Sequence, residues 1–223
     1  MPVQWTSNGC GTSAWTTCGT IPVMDTRKEA ERVPADSAEE WAAWLAANHT
    51  RTTGVWLVTW RAASGRPVLG YEGSVIEALR FGWIDSTGGS VDAERTELWF
   101  APRKRGSGWA RTNKRRIERL ETEGRMEAPG RRLLDAAKAD GSWTLLDDVE
   151  ELIVPDDLAA AFAAFPGSLA NWESFPPSAR RGILEWIVQA KRPESRAKRI
   201  DETARQAQLG KRANEWVPRD KRL

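Results

Sequence analysis

The sequence predicts an α+β fold: a small antiparallel sheet with packed helices in the N-terminal part, followed by an all-helical C-terminal part. Three observations predict it. They are the apolar run Val55-Trp56-Leu57-Val58-Thr59-Trp60, the two strand-like segments Trp83-Ile84-Asp85 and Glu97 to Ala101, and purely helical signals from Pro155 onward. A chain of 223 residues, 40% hydrophobic, can bury a sizeable core as one domain or as two small ones packed together. The division expected is a disordered or mis-annotated extension over 1–35, an α+β domain over 36–145, a helical domain over 146–213 and a tail over 214–223.

Order is expected to begin at Asp36, because Ser37 followed by Glu40 has the capping-box spacing that satisfies orphan amides at a helix start. Trp41, Trp44 and Leu45 then share one helical face that ends near Asn48. The run 55–60 is apolar on both faces and rich in β-branched and aromatic residues, which makes it a buried strand. After the turn Ser64-Gly65-Arg66-Pro67, Ser74 and Glu77 repeat the capping-box spacing ahead of Val75, Ile76, Ala78, Leu79 and Phe81, and Gly82 closes that helix.

The strands at 83–85 and 97–101 read as an antiparallel pair joined through Thr87-Gly88-Gly89-Ser90 and the polar stretch Asp92 to Arg95. Pro102 ends the last strand. A basic, glycine-punctuated loop over 103–109 leads to a helix from Arg111 to Glu123, closed by Gly124. Pro129 opens another with Leu133, Leu134 and Ala137 on one side. Farther on, Pro155, Ser178 and Pro193 mark three helix starts, and Gly210 ends the last helix.

Charge is segregated although the formal net charge is only +2. Residues 103–132 carry eleven Lys/Arg against four Asp/Glu, and 178–223 carry thirteen against six. Residues 133–175 hold nine acids and one base, Lys138. Two readings follow, internal pairing of these blocks or a polyanion-binding surface, and the acidic block between the basic ones weighs against nucleic acid.

Cys10 and Cys18 are the only cysteines and His49 the only histidine, so no disulfide framework holds the fold and a Cys/His metal site lacks ligands. No metal and no cofactor is expected. The opening residues lack a basic region followed by an apolar one, and no run of about 18 apolar residues occurs, so cytoplasmic residence without membrane insertion is expected. Met24, just before the charged run Asp25 to Arg32, is a candidate alternative start.

Three segments invite a chemical reading. In Pro102-Arg103-Lys104-Arg105-Gly106-Ser107-Gly108-Trp109, glycines let a ligand approach the backbone, and Arg111 adds charge where a helix N-terminus favours anions. The opposing reading is a solvated loop anchored by a buried Trp109; the phosphate-binding pattern GxxxxGK[ST] is missing. Asp85 after Trp83-Ile84 is either a site carboxylate or part of an Asx turn. Within Lys191 to Arg199, Arg196 and Arg199 lie one helical turn apart, and they either read phosphates or pair with acids around Asp147 to Glu151. His49 sits at a helix end, where it reads as a C-terminal cap and not as a triad member. Most of the thirteen tryptophans, including Trp41, Trp56, Trp99 and Trp186, fall in patterned elements and read as core.

The chain resembles a bacterial family called YdeI/OmpD-associated, or bacteriocin-protection, proteins, over most of Trp41 to Gly210. The resemblance is carried by Trp44-Leu45-Ala46-Ala47-Asn48-His49, Ala78-Leu79-Arg80-Phe81-Gly82-Trp83-Ile84-Asp85, Phe100-Ala101-Pro102-Arg103 with Ser107, Trp109 and Asn113, and Glu123-Gly124-Arg125-Met126. Ala136 to Gly141 and Val154-Pro155-Asp156-Asp157-Leu158 match as well, and Ala190 to Ile200 is similar to the family's AKRxETRxxRI. Arg80 replaces a small residue or cysteine, Ser195 a threonine, and Ala110 a serine that would cap the next helix.

The resemblance implies a non-enzymatic stress- or antimicrobial-resistance-associated protein, with no catalytic residues assigned. Trp83, Asp85, Arg103, Ser107, Trp109 and Asn113 are expected to meet in one shallow site, joined by Lys191, Arg196 and Arg199. The ligand expected there is an anionic small molecule or a protein partner. Two alternatives come from other classes: an enzyme of unknown reaction using Asp85 as base with the basic loop as a clamp, and a nucleic-acid-binding protein.

Overall fold

The chain enters the sheet earlier than its apolar pattern suggests. In the computed structural model, which describes residues 27–215, Arg32–Pro34 forms a strand (β1) paired in parallel with Val55–Trp60 (β2), Val33 lying opposite Leu57. Order therefore precedes Asp36, and the sheet is mixed rather than purely antiparallel. Three residues ending in proline carry too little alternation to read as a strand, and proline is tolerated there because this is a sheet edge. Arg95–Pro102 (β4) pairs antiparallel with β2 and with Trp83–Ser90 (β3), giving the order β1-β2-β4-β3. The expectation for Met24 and the cysteines lie outside the described residues.

The glycine pair expected to make the β3–β4 turn lies within β3 instead. Gly88 stands opposite Leu98 and Gly89 opposite Glu97, after a register shift between Asp85 and Gly88. Glycine inside a strand commonly marks such an irregularity. The reversal falls at 91–94, where Asp92 Oδ1 accepts the amides of Glu94 at 3.0 Å and Arg95 at 2.7 Å.

Helix α1, Ala38–Asn48, starts as its capping pattern predicts: Ser37 Oγ accepts the Glu40 amide at 3.2 Å, while Glu40 Oε2 accepts the Asp36 amide at 2.8 Å. His49 is its C-cap residue. Helix α2, Tyr71–Arg80, begins three residues before the expected Ser74 cap. Ser74 is buried inside the helix, its hydroxyl donating to the Tyr71 carbonyl at 2.7 Å. Glu77, also buried, pairs with Arg80 and Arg125. Local spacing could not separate a capping box from a buried ion pair that depends on Arg125, 48 residues away.

Helices α3, Arg111–Thr122, and α4, Ala128–Ala139, complete the first part. The second contains α5, Asp147–Glu150; α6, Asp156–Ala164; α7, Ser168–Ser174; α8, Pro177–Val188; and α9, Pro193–Gln208. Helix α8 has Pro176 as its N-cap residue, and the expected cap Ser178 lies within its first turn. Two apolar cores result. One gathers Trp41, Leu57, Leu79, Trp83, Phe100 and Leu120; the other gathers Leu158, Phe162, Trp172, Leu184, Ile187 and Ala204. No helix among the described residues is long and apolar enough to cross a membrane.

Candidate functional site

The sheet brings the start of β3 beside the end of β4, with Trp83 opposite Pro102 and the Arg103 amide donating to the Gly82 carbonyl at 3.0 Å. Trp83 itself is core, only 1% exposed, with the edge of its ring system against Trp44 at 5.8 Å between ring centroids. Asp85 lies beyond it on a half-buried strand position, where its Oδ2 accepts the Tyr71 hydroxyl at 3.0 Å. Burial first, and the Asp85 hydrogen bond second, push the Tyr71 phenol up.

Arg116 sits 5.7 Å from the Tyr71 ring, binds Glu72, and donates to Asn113 Oδ1 at 2.7 Å. Asp85 and Asn113 are thus gathered by Tyr71 and Arg116, two residues that sequence reasoning missed. Arg116 follows Asn113 by three positions, a spacing that pointed to their contact; Tyr71 gave no signal, because its helix was expected to start later.

Arg103 takes a different part. Its guanidinium lies 3.9 Å from the centre of the buried Trp109 ring and donates to the carbonyls of Ser107, at 3.3 Å, and Gly108. Burial lowers its pKa to about 10. Arg103 therefore fastens its own loop around Trp109. Gly106 turns that loop with φ 71°, and Gly108 lies so close to Leu146 that a Cβ would come within 2.7 Å of its Cγ. The loop is pinned on both sides, by Trp109 in the first core and Leu146 in the second.

Pinning leaves Lys104, Arg105 and Ser107 on one wall of a groove of about 300 Å³, with Leu145, Val188 and Lys191 on the other. Lys104, Arg105 and Lys191 make no salt bridge among the described residues. Arg196 and Arg199 of the expected site, by contrast, are engaged. Arg196 holds Asp157 with two hydrogen bonds of 2.7 and 3.0 Å; Arg199 lies 5.0 Å from the Trp186 ring and donates to that residue's carbonyl. The structure thus groups Lys191 and Ser107 at the groove, Asp85 and Asn113 at the Tyr71 cluster, and Arg196 and Arg199 on α9, tied to α6 and α8.

The start of α3, a position suited to an anion, holds an internal one. Glu150 Oε1 accepts the Arg111 amide at 3.2 Å and its Oε2 lies 3.1 Å from Arg181 Nε, while Arg111 and Lys114 pair with Glu151 and Asp147. The first turn of α3 and the acids at α5 thus partly neutralise each other, while Arg116 and Arg119 pair elsewhere, with Glu72 and Glu123. Among the described residues no cluster of three or more His, Cys, Asp or Glu is placed to hold a metal.

Residues 151–210 match the family model described as bacteriocin-protection, YdeI or OmpD-associated. The resemblance read over Trp41 to Gly210 is thus carried by this model in the helical part alone. Residues 33–133 match a domain of unknown function (DUF8412). No curated protein and no solved structure matches the chain. The bacteriocin-protection match runs from the end of α5 through α9 and contributes Lys191 to the groove, whereas Lys104 to Gly108 come from the other matched segment. The groove lies where the two matches face each other.

Proposed function

We propose that the protein is a non-enzymatic, cytoplasmic bacteriocin-protection-associated protein that binds an anionic group in the groove between loop 104–108 and Lys191, carried by a small molecule or a protein partner. One observation carries the reading: three cations converge on a single groove with none within salt-bridge distance of an acid among the described residues, while most of those of α3, and Arg196 and Arg205 of α9, are paired at home. All three side chains are exposed, so each pairing with an anion is worth only about 0.2–1 kcal/mol and is screened by salt; binding rests on several cations acting on one group. The ligand is not a nucleic acid, because the exposed face of α9 mixes Glu194, Asp201 and Glu202 with Lys198 and Arg205 and offers no basic stripe for its backbone.

Titration calorimetry with pyrophosphate at low salt tests the groove. The triple charge reversal K104E/R105E/K191E is expected to abolish binding with little change in thermal midpoint, since all three side chains belong to exposed residues. Undiminished binding in that variant removes the groove from consideration. Bacterial cells expressing the chain should survive bacteriocin challenge better than empty-vector cells, and cells expressing the triple variant should not.

A further inference from the structure

We propose that the groove and an apolar recess beside it form one amphiphile site, which takes a small anionic molecule with a single aryl or short alkyl arm. This rests on the anion-binding reading above and names the class of ligand. The recess, about 190 Å³, is lined by Val149, Ile153, Leu184 and Ile187 together with Leu145 and Val188. Leu145 and Val188 also line the cationic groove, so the two spaces adjoin across one pair of side chains. An apolar cavity of about 150 Å³ suffices to hold a benzene-sized group, so the recess has room for one ring or a short chain. An apolar hollow with a few convergent polar groups, set where two packed units meet, is the usual form of a small-molecule site.

The charges around the pair of spaces give it a direction. Asp148 lines the recess and makes no salt bridge among the described residues, while Arg196 on the same rim is matched by Asp157. An anionic head is repelled from the recess and drawn to Lys104, Arg105 and Lys191. The apolar arm is left to enter between Leu184 and Ile153.

The backbone beside the recess supplies an independent observation. Leu152 has φ 57°, a left-handed conformation that favours glycine, at the point where α5 is closed by the Leu152 amide on the Val149 carbonyl at 3.1 Å and the Ile153 amide on the Asp148 carbonyl at 2.9 Å. Leu152 packs partly buried against the second core, and the strained turn leaves Ile153 52% exposed beside the recess. A large apolar side chain is thereby presented to solvent at the edge of an apolar hollow, where an incoming arm would cover it.

The test is calorimetric titration of the full chain at low salt with inorganic phosphate and with phenyl phosphate. Phenyl phosphate is expected to bind at least about tenfold more tightly than inorganic phosphate. Ile153→Asn, which removes apolar surface without adding charge, should remove that gain and leave the affinity for inorganic phosphate unchanged; Lys191→Glu should weaken both. Because Ile153 is exposed, its replacement should leave the thermal midpoint in place, which checks folding. Equal affinity for the two probes overturns the amphiphile site and leaves the anion groove standing. Binding of neither overturns both. A phenyl gain that survives Ile153→Asn overturns the recess as the seat of the arm.

Discussion

Glu150 accepts the main-chain amide of Arg111 at 3.2 Å, so a carboxylate beside the second core caps the helix that follows the basic loop. The residue in the N-cap position, Ala110, has the extended backbone of a cap, φ −66° and ψ 148°, but no side chain to donate to. Removing an N-cap acceptor typically costs about 1 kcal/mol, and the Arg181 pair adds to it here. Glu150→Ala should lower stability by roughly 1–2 kcal/mol in urea unfolding. Adding Ala110→Ser supplies a local acceptor and should restore part of the loss. No recovery in the double variant would mean that Glu150 acts through Arg181 and not as a cap.

Glu77 is 3% exposed and holds two guanidinium groups, Arg80 within its own helix and Arg125 from the loop between α3 and α4. Arg80 also donates to the Arg125 carbonyl and to Glu127, each at 3.0 Å, so this cluster ties α2 to the loop before α4. Truncating Glu77 removes the buried anion that joins the two guanidinium groups, although Glu127 and Glu123 remain beside Arg80 and Arg125. Glu77→Ala is expected to cost about 3 kcal/mol, measured by denaturant midpoint at constant slope. Arg80→Ala should cost less, because Arg125 remains to satisfy the carboxylate.

Gly130 sits where α4 crosses the end of α2. A Cβ there would lie 2.8 Å from the Leu79 carbonyl oxygen and closer still to that of Arg80, both backbone atoms that cannot swing aside. Gly130→Ala should therefore destabilise by about 1–3 kcal/mol, although alanine is the better helix former in isolation. A neutral or stabilising result in thermal unfolding would show that α4 is free to shift.

How much was legible in the sequence depends on the range of the cause. Ser37 with Glu40 was readable because a capping box is complete within four residues, and Val55 to Trp60 because burial on both strand faces leaves an unbroken apolar run. Strand β1 was not: its pairing is written in β2, and its own three residues carry no pattern. Ser74 and Glu77 show the same spacing as the true cap, yet Arg125 makes them an ion-pair site. For the candidate site, the sequence expected the basic loop and Lys191 to share one site with Trp83, Asp85 and Asn113, but not that, of the expected site residues, only Ser107 and Lys191 would line the groove, since its walls depend on Gly108 meeting Leu146. Nor did it show that Arg103 and Arg199 turn inward, a choice set by Trp109 and Trp186 lying within reach of their guanidinium groups.

Asp157 and Arg196 give the fold a pH-dependent link between α6 and α9. Hydrogen bonds from Arg196, the largest influence, hold the Asp157 carboxyl below its ordinary 3.8. A carboxylate whose folded pKa is depressed contributes stability that is complete above its unfolded value and is lost as pH falls through the folded one. The contribution is therefore present at pH 7, intact to about pH 5, and lost progressively as pH falls below the ordinary carboxylate range. Both partners are partly exposed, so the pair is worth about 0.2–1 kcal/mol and is weakened by salt. Asp157 also stands in the first turn of α6, where its charge favours the helix start. Asp157→Asn should lower the thermal midpoint at pH 7 by more than at pH 2.5, and a cycle with Arg196→Met separates the pair from the effect on the helix start. A deficit that persists unchanged at pH 2.5 would show that the side chain acts through packing and not through charge.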